Sequence, residues 1–363
     1  MLISRRSFVM TGLAVPVVAA TSKKQVERPN VLLIVASDLG AYMLGCYGNK
    51  EIRTPNIDQL AKTGVLFSKS FSTSPVAQKS SIDEARIAQA LGGAGYACGK
   101  GLEFLDAQTP HQPFFASIAW PSPSAVNPAA KLLDLYAATQ FEATGFEQAA
   151  ANAVHKEMLS DVRGNLRKFA AAVTMLDEQM PAVLAKLQQR GLWDGTAIVL
   201  TSNNGYLLGR HGLWGDGQAS RPVNLYNEVV ATPLIWSWPS SFPPDSVCTE
   251  VVGSHDLLPT LCELTGAATP VPGWSYLPFL YGRHMPKKQV WQEMAYSGFQ
   301  DTEMARDDRY KLILRAQGKG PNELYDEAAD PLERVNQVDN PGFAGVRQRL
   351  AGEINAWRGR NSG

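Results

Sequence analysis

The chain has 363 residues, 34 basic and 34 acidic side chains, and an apolar fraction of 45%. That apolar content excludes a disordered chain, and zero net charge without a basic cluster argues against a nucleic-acid-binding module. The length suits one large α/β domain, or a large and a small one. Four cysteines without CxxC spacing argue against a zinc site and leave open a Cys248–Cys262 disulfide in an oxidising compartment.

Residues 1–22 are typical of an export signal rather than of folded structure. The segment has a basic start, an apolar stretch too short to span a bilayer, and small residues at Ala19 and Ala20. Arg5 and Arg6 favour the twin-arginine route, and an ordinary secretory signal is the alternative. Either route predicts an exported protein, periplasmic or extracellular. No later segment is long and apolar enough to predict a membrane span.

A continuous apolar run, Val31–Ala36, ends at Ser37–Asp38 and indicates a strand buried on both faces of a sheet. Ligand sites in parallel sheets lie beyond the carboxyl ends of the strands, so Asp38 is a candidate site residue. A second buried strand is predicted at Thr196–Thr201. It would bring Asn203–Asn204 to the same edge of the sheet.

Helical and strand patterns alternate along the rest of the chain. The predicted helices span 56–63, 83–91, 163–190, 254–265 and about 342–357, and the further strands span 111–121, 232–238 and, as an edge-type strand, 309–314. The alternation predicts an α/β fold with a central, mostly parallel sheet flanked by helices. A segment containing Pro and Gly then leads to a small C-terminal antiparallel α+β subdomain, so we expect domains at 28–285 and 286–363.

The run from Arg28 to Ser81 resembles the opening of the sulfatase family, within the alkaline-phosphatase-like superfamily. The matching residues are Arg28-Pro29-Asn30, Asp38-Leu39-Gly40, Gly45-Cys46-Tyr47-Gly48, Thr54-Pro55-Asn56-Ile57-Asp58, Leu60-Ala61 and Ser74-Pro75-Val76. Further matches recur towards the C-terminus, at Asp256, Pro259, Thr260, Glu323–Asp326 and Asp330–Glu333. The resemblance implies the fold of that family and a site for sulfate ester hydrolysis.

The resemblance places the family's nucleophile at Ala77. The family converts a Cys or Ser in a C/S-x-P-S-R motif to formylglycine, whose hydrate attacks sulfur, and Ala77 has no heteroatom to be oxidised. Lys79 and Ser81 stand where the motif has proline and arginine. Formylglycine is therefore not expected. Ser80 or Ser81 remains an alternative nucleophile, although no adjacent base is apparent.

The resemblance also implies calcium ligands at Ser37–Asp38 and Asn203–Asn204. The family has an Asp-Asp pair after the first strand and an Asp-Asn or Asp-His pair after the later one, so three carboxylates are reduced to that of Asp38. Calcium affinity follows the number of charged ligands, and we therefore expect a weak or lost site. The alternative is that both asparagines hydrogen-bond loop backbone.

Two further family positions keep their residues. Lys100 matches a lysine of the family's cleft, and His211 matches a histidine near the leaving group. Asp216, in contrast, replaces the lysine of a Leu-Trp-Gly-Lys motif and reverses the charge where sulfate would lie. At about 4 Å and an effective dielectric constant near 20, such a like-charge contact costs about 4 kcal/mol.

These substitutions favour a sulfatase-family pseudoenzyme with impaired catalysis and a sulfated small molecule or glycan as its ligand. An active sulfate- or phosphate-ester hydrolase with a repurposed metal site is the alternative. A third interpretation is a decayed or internally deleted gene product, because the segment after Ser81 is short for the family. The sequence identifies neither a substrate nor an oligomeric state.

Overall fold

The computed structural model describes residues 28–80, 82–92, 96–97, 101–110, 112–141, 148–271, 273–285, 291 and 293–361. The predicted export signal, Ser81 and Lys100 lie outside these ranges, as does part of the predicted domain boundary near residue 286. Within the described ranges, no helix has both the length and the apolar character needed to cross a membrane.

One sheet organises the main domain. The described strands are β1 (Asn30–Ala36), β2 (Val65–Phe71), β3 (Tyr96–Ala97), β4 (Phe115–Trp120), β5 (Thr196–Ser202), β6 (Leu207–Leu208), β7 (Trp214–Gly215), β8 (Leu234–Ser237), β9 (Ser246–Gly253), β10 (Ala295–Phe299), β11 (Thr302–Arg306), β12 (Tyr310–Arg315) and β13 (Glu323–Asp326). Seven of these form the order β3-β4-β1-β5-β8-β2-β9, in which β8 alone runs opposite to the others. The predicted central, mostly parallel sheet is confirmed.

Helices cover both faces of this sheet. The described helices are α1 (Pro55–Lys62), α2 (Glu84–Ala90), α3 (Gly101–Asp106), α4 (Ala130–Asp134), α5 (Val162–Asp177), α6 (Met180–Gln189), α7 (Asn227–Val230), α8 (Leu257–Thr265), α9 (Leu277–Leu280) and α10 (Ala344–Asn361). Alternate residues of β1 enter different cores: Leu32 and Ile34 pack with α1, α5 and α6, whereas Leu33 and Val35 pack with α8 and α9. Burial on both faces explains why β1 is apolar from Val31 to Ala36.

Three elements differ from the sequence predictions. The helix predicted over 163–190 is two helices, because Pro181 lacks the N–H that a continuous helix would need, and α6 begins at Met180. The strand predicted at the edge is β12, which lies between β11 and β13. Strand β9 was not predicted. It lies at the sheet edge and exposes alternate residues, so it lacks a continuous apolar run.

The small antiparallel subdomain consists of β10–β13 with α10 packed on one face. Its other face packs against the main domain around Phe71 and Leu225. Lys311, fully buried on β12, forms an ion pair with Glu333, and the Glu333 carboxylate accepts a hydrogen bond from the Asn227 backbone N–H at 2.7 Å. The subdomain therefore holds the start of α7, close to the candidate site.

The N-terminus of α1 is capped by a residue distant in sequence. Thr54, at the N-cap position, makes no side-chain capping bond. Instead Asp177, at the end of α5, accepts hydrogen bonds from the backbone N–H of Asn56 at 3.1 Å and of Ile57 at 2.7 Å, and from Asn56 Nδ2 at 2.7 Å. A buried carboxylate thereby satisfies backbone donors that the helix itself leaves unpaired.

We expect Asp177→Ala to lower the free energy of unfolding by about 3 kcal/mol, because hydrogen bonds to a charged group are lost and buried donors remain. Urea denaturation measures the change. The matched control is Asp83→Ala, since Asp83 is an exposed N-cap that accepts one N–H, from Arg86, at 3.0 Å; its expected cost is about 1 kcal/mol. Equal losses in the two variants would contradict the proposed role of Asp177.

Candidate functional site

The polar candidates converge at the carboxyl edge of the main sheet. Asp38 follows β1, Asn203 follows β5, Ser72 follows β2 and Ser122 follows β4. The Asn203 backbone N–H donates to the Ala36 carbonyl at 2.9 Å, and the Ser72 hydroxyl contacts the Asn203 carbonyl oxygen. These contacts hold the ends of β1, β2 and β5 together and form the cleft in which the other candidates lie.

Asp38 and Asn204 form a reciprocal pair. The Asp38 backbone N–H donates to Asn204 Oδ1 at 3.3 Å, and Asn204 Nδ2 donates to Asp38 Oδ1 at 2.7 Å. Asn204 Nδ2 also donates to the Gly205 carbonyl at 2.8 Å. A single amide orientation satisfies all three bonds, because an oxygen in place of Nδ2 would face two acceptors. The fully buried Asn204 side chain thus directs N–H groups towards the carboxylate.

Asn203 and Ser37 complete the predicted ligand set. Asn203 Oδ1 is buried and has no hydrogen-bond partner, while Ser37 is half-buried. In the part of the chain that the structure describes, no three His, Cys, Asp or Glu side chains are grouped to hold a metal ion. The unpaired Asn203 oxygen is a buried acceptor in this set that another group can still use.

Ala77 begins a short 3-10 turn, Ala77–Lys79, that closes one side of the cleft. The Gly217 backbone N–H donates to the Pro75 carbonyl at 3.0 Å, which fixes this segment against the loop that contains Asp216. The half-buried Ala77 therefore belongs to a segment that contacts the loop containing Asp216. Ser81 and Lys100, the other candidates from the surrounding motifs, are outside the described residues.

Asp216 carries its charge into the same cleft. Its Oδ1 accepts the Gln218 backbone N–H at 2.8 Å, so the carboxylate caps its own loop. Burial raises the pKa of Asp216, and the nearby Asp38 carboxylate raises it further. Burial likewise raises the pKa of Asp38, against the opposing effect of hydrogen bonds with Ser122 and Asn204. Two carboxyl groups therefore face a cleft that, in the family, binds an anion.

His211 belongs to a buried ionic cluster. Its Nε2 lies 3.4 Å from Glu228 Oε2, its ring stacks on Tyr226 with centroids 3.7 Å apart, and its side chain is only 8% exposed. Arg210 Nη1 pairs with the other Glu228 oxygen at 2.9 Å. Burial alone would raise the pKa of Glu228, but His211 and Arg210 outweigh it and lower this pKa to about 2. The arrangement supports a structural role for His211.

Sequence reasoning missed the residues that connect Asp38 to the neighbouring surface. The Ser122 hydroxyl bonds with Asp38 and lies 2.6 Å from Ser124 Oγ, and Ser124 in turn bonds with Tyr206. The signal was present in Pro-Ser-Pro-Ser at the exit of β4, where Ser124 replaces a family histidine. Tyr206, two residues after Asn204, gave no signal, because the residues with which its hydroxyl and carbonyl groups form hydrogen bonds, Ser124 and Tyr42, lie more than 80 residues away.

The site therefore offers hydroxyl, amide and carboxyl groups at the carboxyl edge of the main sheet. Hydroxyl and carboxyl oxygens suit hydrogen bonding to a polar ligand. The charges of Asp38 and Asp216 act against an anion bound between them. Arg210 and His211 both pair with Glu228. They therefore do not neutralise the carboxylates of Asp38 and Asp216.

Comparison with known proteins matches two family models, Sulfatase over residues 29–81 and 99–267, and N-sulphoglucosamine sulphohydrolase, C-terminal, over residues 217–360. An ulvan-active sulfatase of Formosa agariphila is 21% identical, across 91% of this chain and 80% of its own length. Human arylsulfatase A is 24% identical, across 88% of this chain and 84% of its own length. A choline-sulfatase of Rhizobium meliloti is 26% identical across 50% of this chain and 34% of its own.

Solved structures show the same fold at low identity. A protein solved in complex with its substrate D-glucosamine-2-N,6-O-disulfate superimposes with a TM-score of 0.75 at 19% identity, covering 92% of this chain and 98% of that one. A phosphonate monoester hydrolase of Agrobacterium radiobacter superimposes with a TM-score of 0.68 at 19% identity, covering 92% of this chain and 96% of that one.

We expect Glu228→Gln to destabilise the protein by about 3–5 kcal/mol at pH 7, because Arg210 would lose its buried counter-charge. The Glu228 pKa is lowered on folding, so its contribution is complete above the unfolded value of about 4.3 and is lost as pH falls towards 2. Urea denaturation between pH 7 and pH 2.5 should show the gap to wild type narrowing below pH 4. A difference in the free energy of unfolding that does not change with pH would contradict the role given to the Glu228 carboxylate.

Proposed function

This chain belongs to the sulfatase family, and we propose that it keeps the family's fold without hydrolysing sulfate esters by formylglycine chemistry. The observation that carries the proposal is the Asp38–Asn204 pair, in which the Asp38 carboxylate accepts from the Asn204 amide and the amide oxygen accepts from the Asp38 backbone N–H. The methyl group of Ala77 supports it, because this side chain offers neither a nucleophile nor an oxidisable atom at the position of the family's nucleophile.

We infer that calcium does not fit the described residues. A calcium ion requires six to eight oxygen ligands at about 2.3–2.6 Å. Here Asn204 turns its Nδ2 towards Asp38, and Asn204 Oδ1 accepts the Asp38 backbone N–H. Asn203 Oδ1, Asp38 Oδ2 and the Ser37 hydroxyl remain, a set that is far short of six oxygens. No step of the proposed function therefore depends on a metal.

Charge further supports the loss of the sulfate site. The family's cation at this position is replaced by Asp216, whose carboxylate lies near that of Asp38. A sulfate group bound within about 4 Å of both carboxylates would be repelled by each of them by about 4 kcal/mol at an effective dielectric constant near 20. This repulsion disfavours a sulfate ester bound in the family's orientation.

The remaining role is that of a binding protein for a sulfated small molecule or glycan, exported to the periplasm or beyond. Relatives named for ulvan, choline sulfate and aryl sulfates suggest this ligand class. The hydroxyl groups of Ser122 and Ser124, at the exit of β4, support recognition by hydrogen bonds. Binding without turnover needs neither a nucleophile nor a metal.

One observation favours the alternative of an active ester hydrolase with a repurposed site. Asn203 Oδ1 is buried without a partner beside Asp38, and such an acceptor can become a ligand when a cation enters. This alternative requires that the Asp38–Asn204 pair opens. It also requires a nucleophile other than Ala77.

We expect wild-type protein to hydrolyse 4-nitrophenyl sulfate and 4-nitrophenyl phosphate no faster than the buffer does, with calcium, magnesium, manganese or zinc added. Release of nitrophenolate measures the rate. If turnover is found, Asp38→Asn is compared with Asp301→Asn, which changes an exposed aspartate. Turnover that Asp38→Asn abolishes and Asp301→Asn leaves intact would overturn the proposal and establish the alternative.

Restoring the lost carboxylates should restore calcium binding. In Ser37→Asp/Asn203→Asp, three carboxylates would meet in one cleft, so we expect the Tm to fall in EDTA and to rise by at least about 2 °C with millimolar calcium. Ser68→Asp/Asn355→Asp adds the same charge at exposed positions and should not respond. An equal rise in the wild-type Tm would contradict the inference that calcium does not fit.

A further inference from the structure

Asn227 joins the C-terminal subdomain to the main domain. Its backbone N–H, at the start of α7, donates to Glu333 Oε2 at 2.7 Å, and its Oδ1 accepts from Lys311 Nζ and Arg306 Nη1, each at 3.2 Å. Lys311 also pairs with the Glu333 carboxylate. Three side chains of the subdomain therefore hold one residue of α7, and none of the three residues is more than 3% exposed.

Glu333 reaches this position through a backbone conformation that residues with a Cβ seldom adopt. Its φ is 52°, in the left-handed region. Such a conformation persists where the surrounding contacts hold it in place. Here those contacts are the ion pair with Lys311 and the hydrogen bond from the Asn227 backbone. The path of the chain at Glu333 therefore depends on the state of its carboxyl group.

Carboxylates crowd the Glu333 side chain in this buried interface. Lys311 attracts its charge, whereas Glu327, after β13, and Glu228, on α7, repel it. Glu327 pairs with Arg306 through Oε2 at 2.8 Å, but its Oε1 is buried and has no hydrogen-bond partner among the described residues. A buried carboxylate oxygen without a donor is costly. A proton on Glu333 removes one of the crowded charges and adds a donor to these surroundings.

We propose that this interface is a proton-operated latch, in which protonated Glu333 holds the subdomain on α7 and loss of that proton at higher pH loosens α7. Because α7 carries Glu228, the loosening reaches the pairs that Glu228 makes with Arg210 and His211. The latch goes beyond the proposed binding function, since it works whatever the cleft binds.

The direction of the latch follows from the two states of Glu333. Burial raises the pKa of Glu333 to about 7, with Lys311 opposing this shift and the two neighbouring carboxylates adding to it. A hydrated glutamate has a pKa of about 4.3, so the closed interface binds the proton more tightly than the open one. Closure is therefore strongest below about pH 4.3 and weakens as pH rises towards 7. Tyr226, before α7, and Tyr325, on β13, also face this carboxyl, and burial raises the pKa of both, so they stay protonated in this range.

Hydrogen–deuterium exchange of the full chain, measured by mass spectrometry at pH 5.5 and pH 8.5, tests the latch on peptides that cover α7. After correction for the intrinsic exchange rates, we expect the protection of the α7 amides to fall at least about tenfold from pH 5.5 to pH 8.5, since one unit of pKa shift corresponds to a tenfold change. Glu333→Gln keeps the shape of the neutral carboxyl group, so its protection should not depend on pH. Glu303→Gln removes a carboxylate that pairs with Arg358 of α10 and, as the matched control, should respond like wild type.

Infrared difference spectra of wild-type protein labelled with ¹³C-glutamate give a second measurement that needs no variant. They should show a glutamic acid that is protonated at pH 5.5 and ionised at pH 8.5. Thermal melts establish whether Glu333→Gln folds. Wild-type protection of α7 that is equal at both pH values would overturn the proposal, and so would an equal pH dependence in wild type and Glu333→Gln. The absence of a glutamic acid that titrates in this range would also overturn it.

Discussion

The hydrogen bond from the Asp38 backbone to Asn204 Oδ1 is the contact on which the proposed loss of the calcium site depends. Asp38 has a φ of 58°, so the chain leaves the extended path of β1 and its N–H meets the buried amide. That contact fixes the orientation of the amide, and the fixed Nδ2 then donates to the Asp38 carboxylate. Asn204, at a position that the resemblance gives to a calcium ligand, here forms hydrogen bonds with the backbone and the carboxylate of Asp38. The family's fold is kept, and the polar groups of Asp38 and Asn204 form hydrogen bonds with each other.

The same reorganisation explains the histidine that matches a family position. Gly205 lies directly beneath the Glu228 carbonyl, where an added Cβ would come within 2.0 Å of its oxygen, and its N–H bonds to Val229 at 2.6 Å. This close approach brings α7 against the loop after β5. Glu228 can then pair with both Arg210 and His211. The histidine that matches a family position is therefore part of the packing between loop and helix, a role that does not require catalysis.

Much of the fold was predictable because its signals are local. The run at Val31–Ala36 is apolar on both faces, and the structure places β1 between two cores, one residue from the predicted start. The helix break at Pro181 was also readable, since proline cannot continue a helix. The site was predictable only as a set of positions. The orientation of Asn204 and the pairing of Glu228 depend on contacts between residues far apart in sequence, which no local pattern records.

The most direct measurement is a crystal structure of the wild-type protein, from crystals grown with calcium at a concentration that saturates the calcium sites of active family members. The account predicts no anomalous calcium peak between Asp38 and Asn203, and Asn204 Nδ2 within hydrogen-bond distance of Asp38 Oδ1. A calcium ion there, with Asp38 and the oxygens of Asn203 and Asn204 as ligands, would contradict the claim that these side chains complete one another in place of the metal.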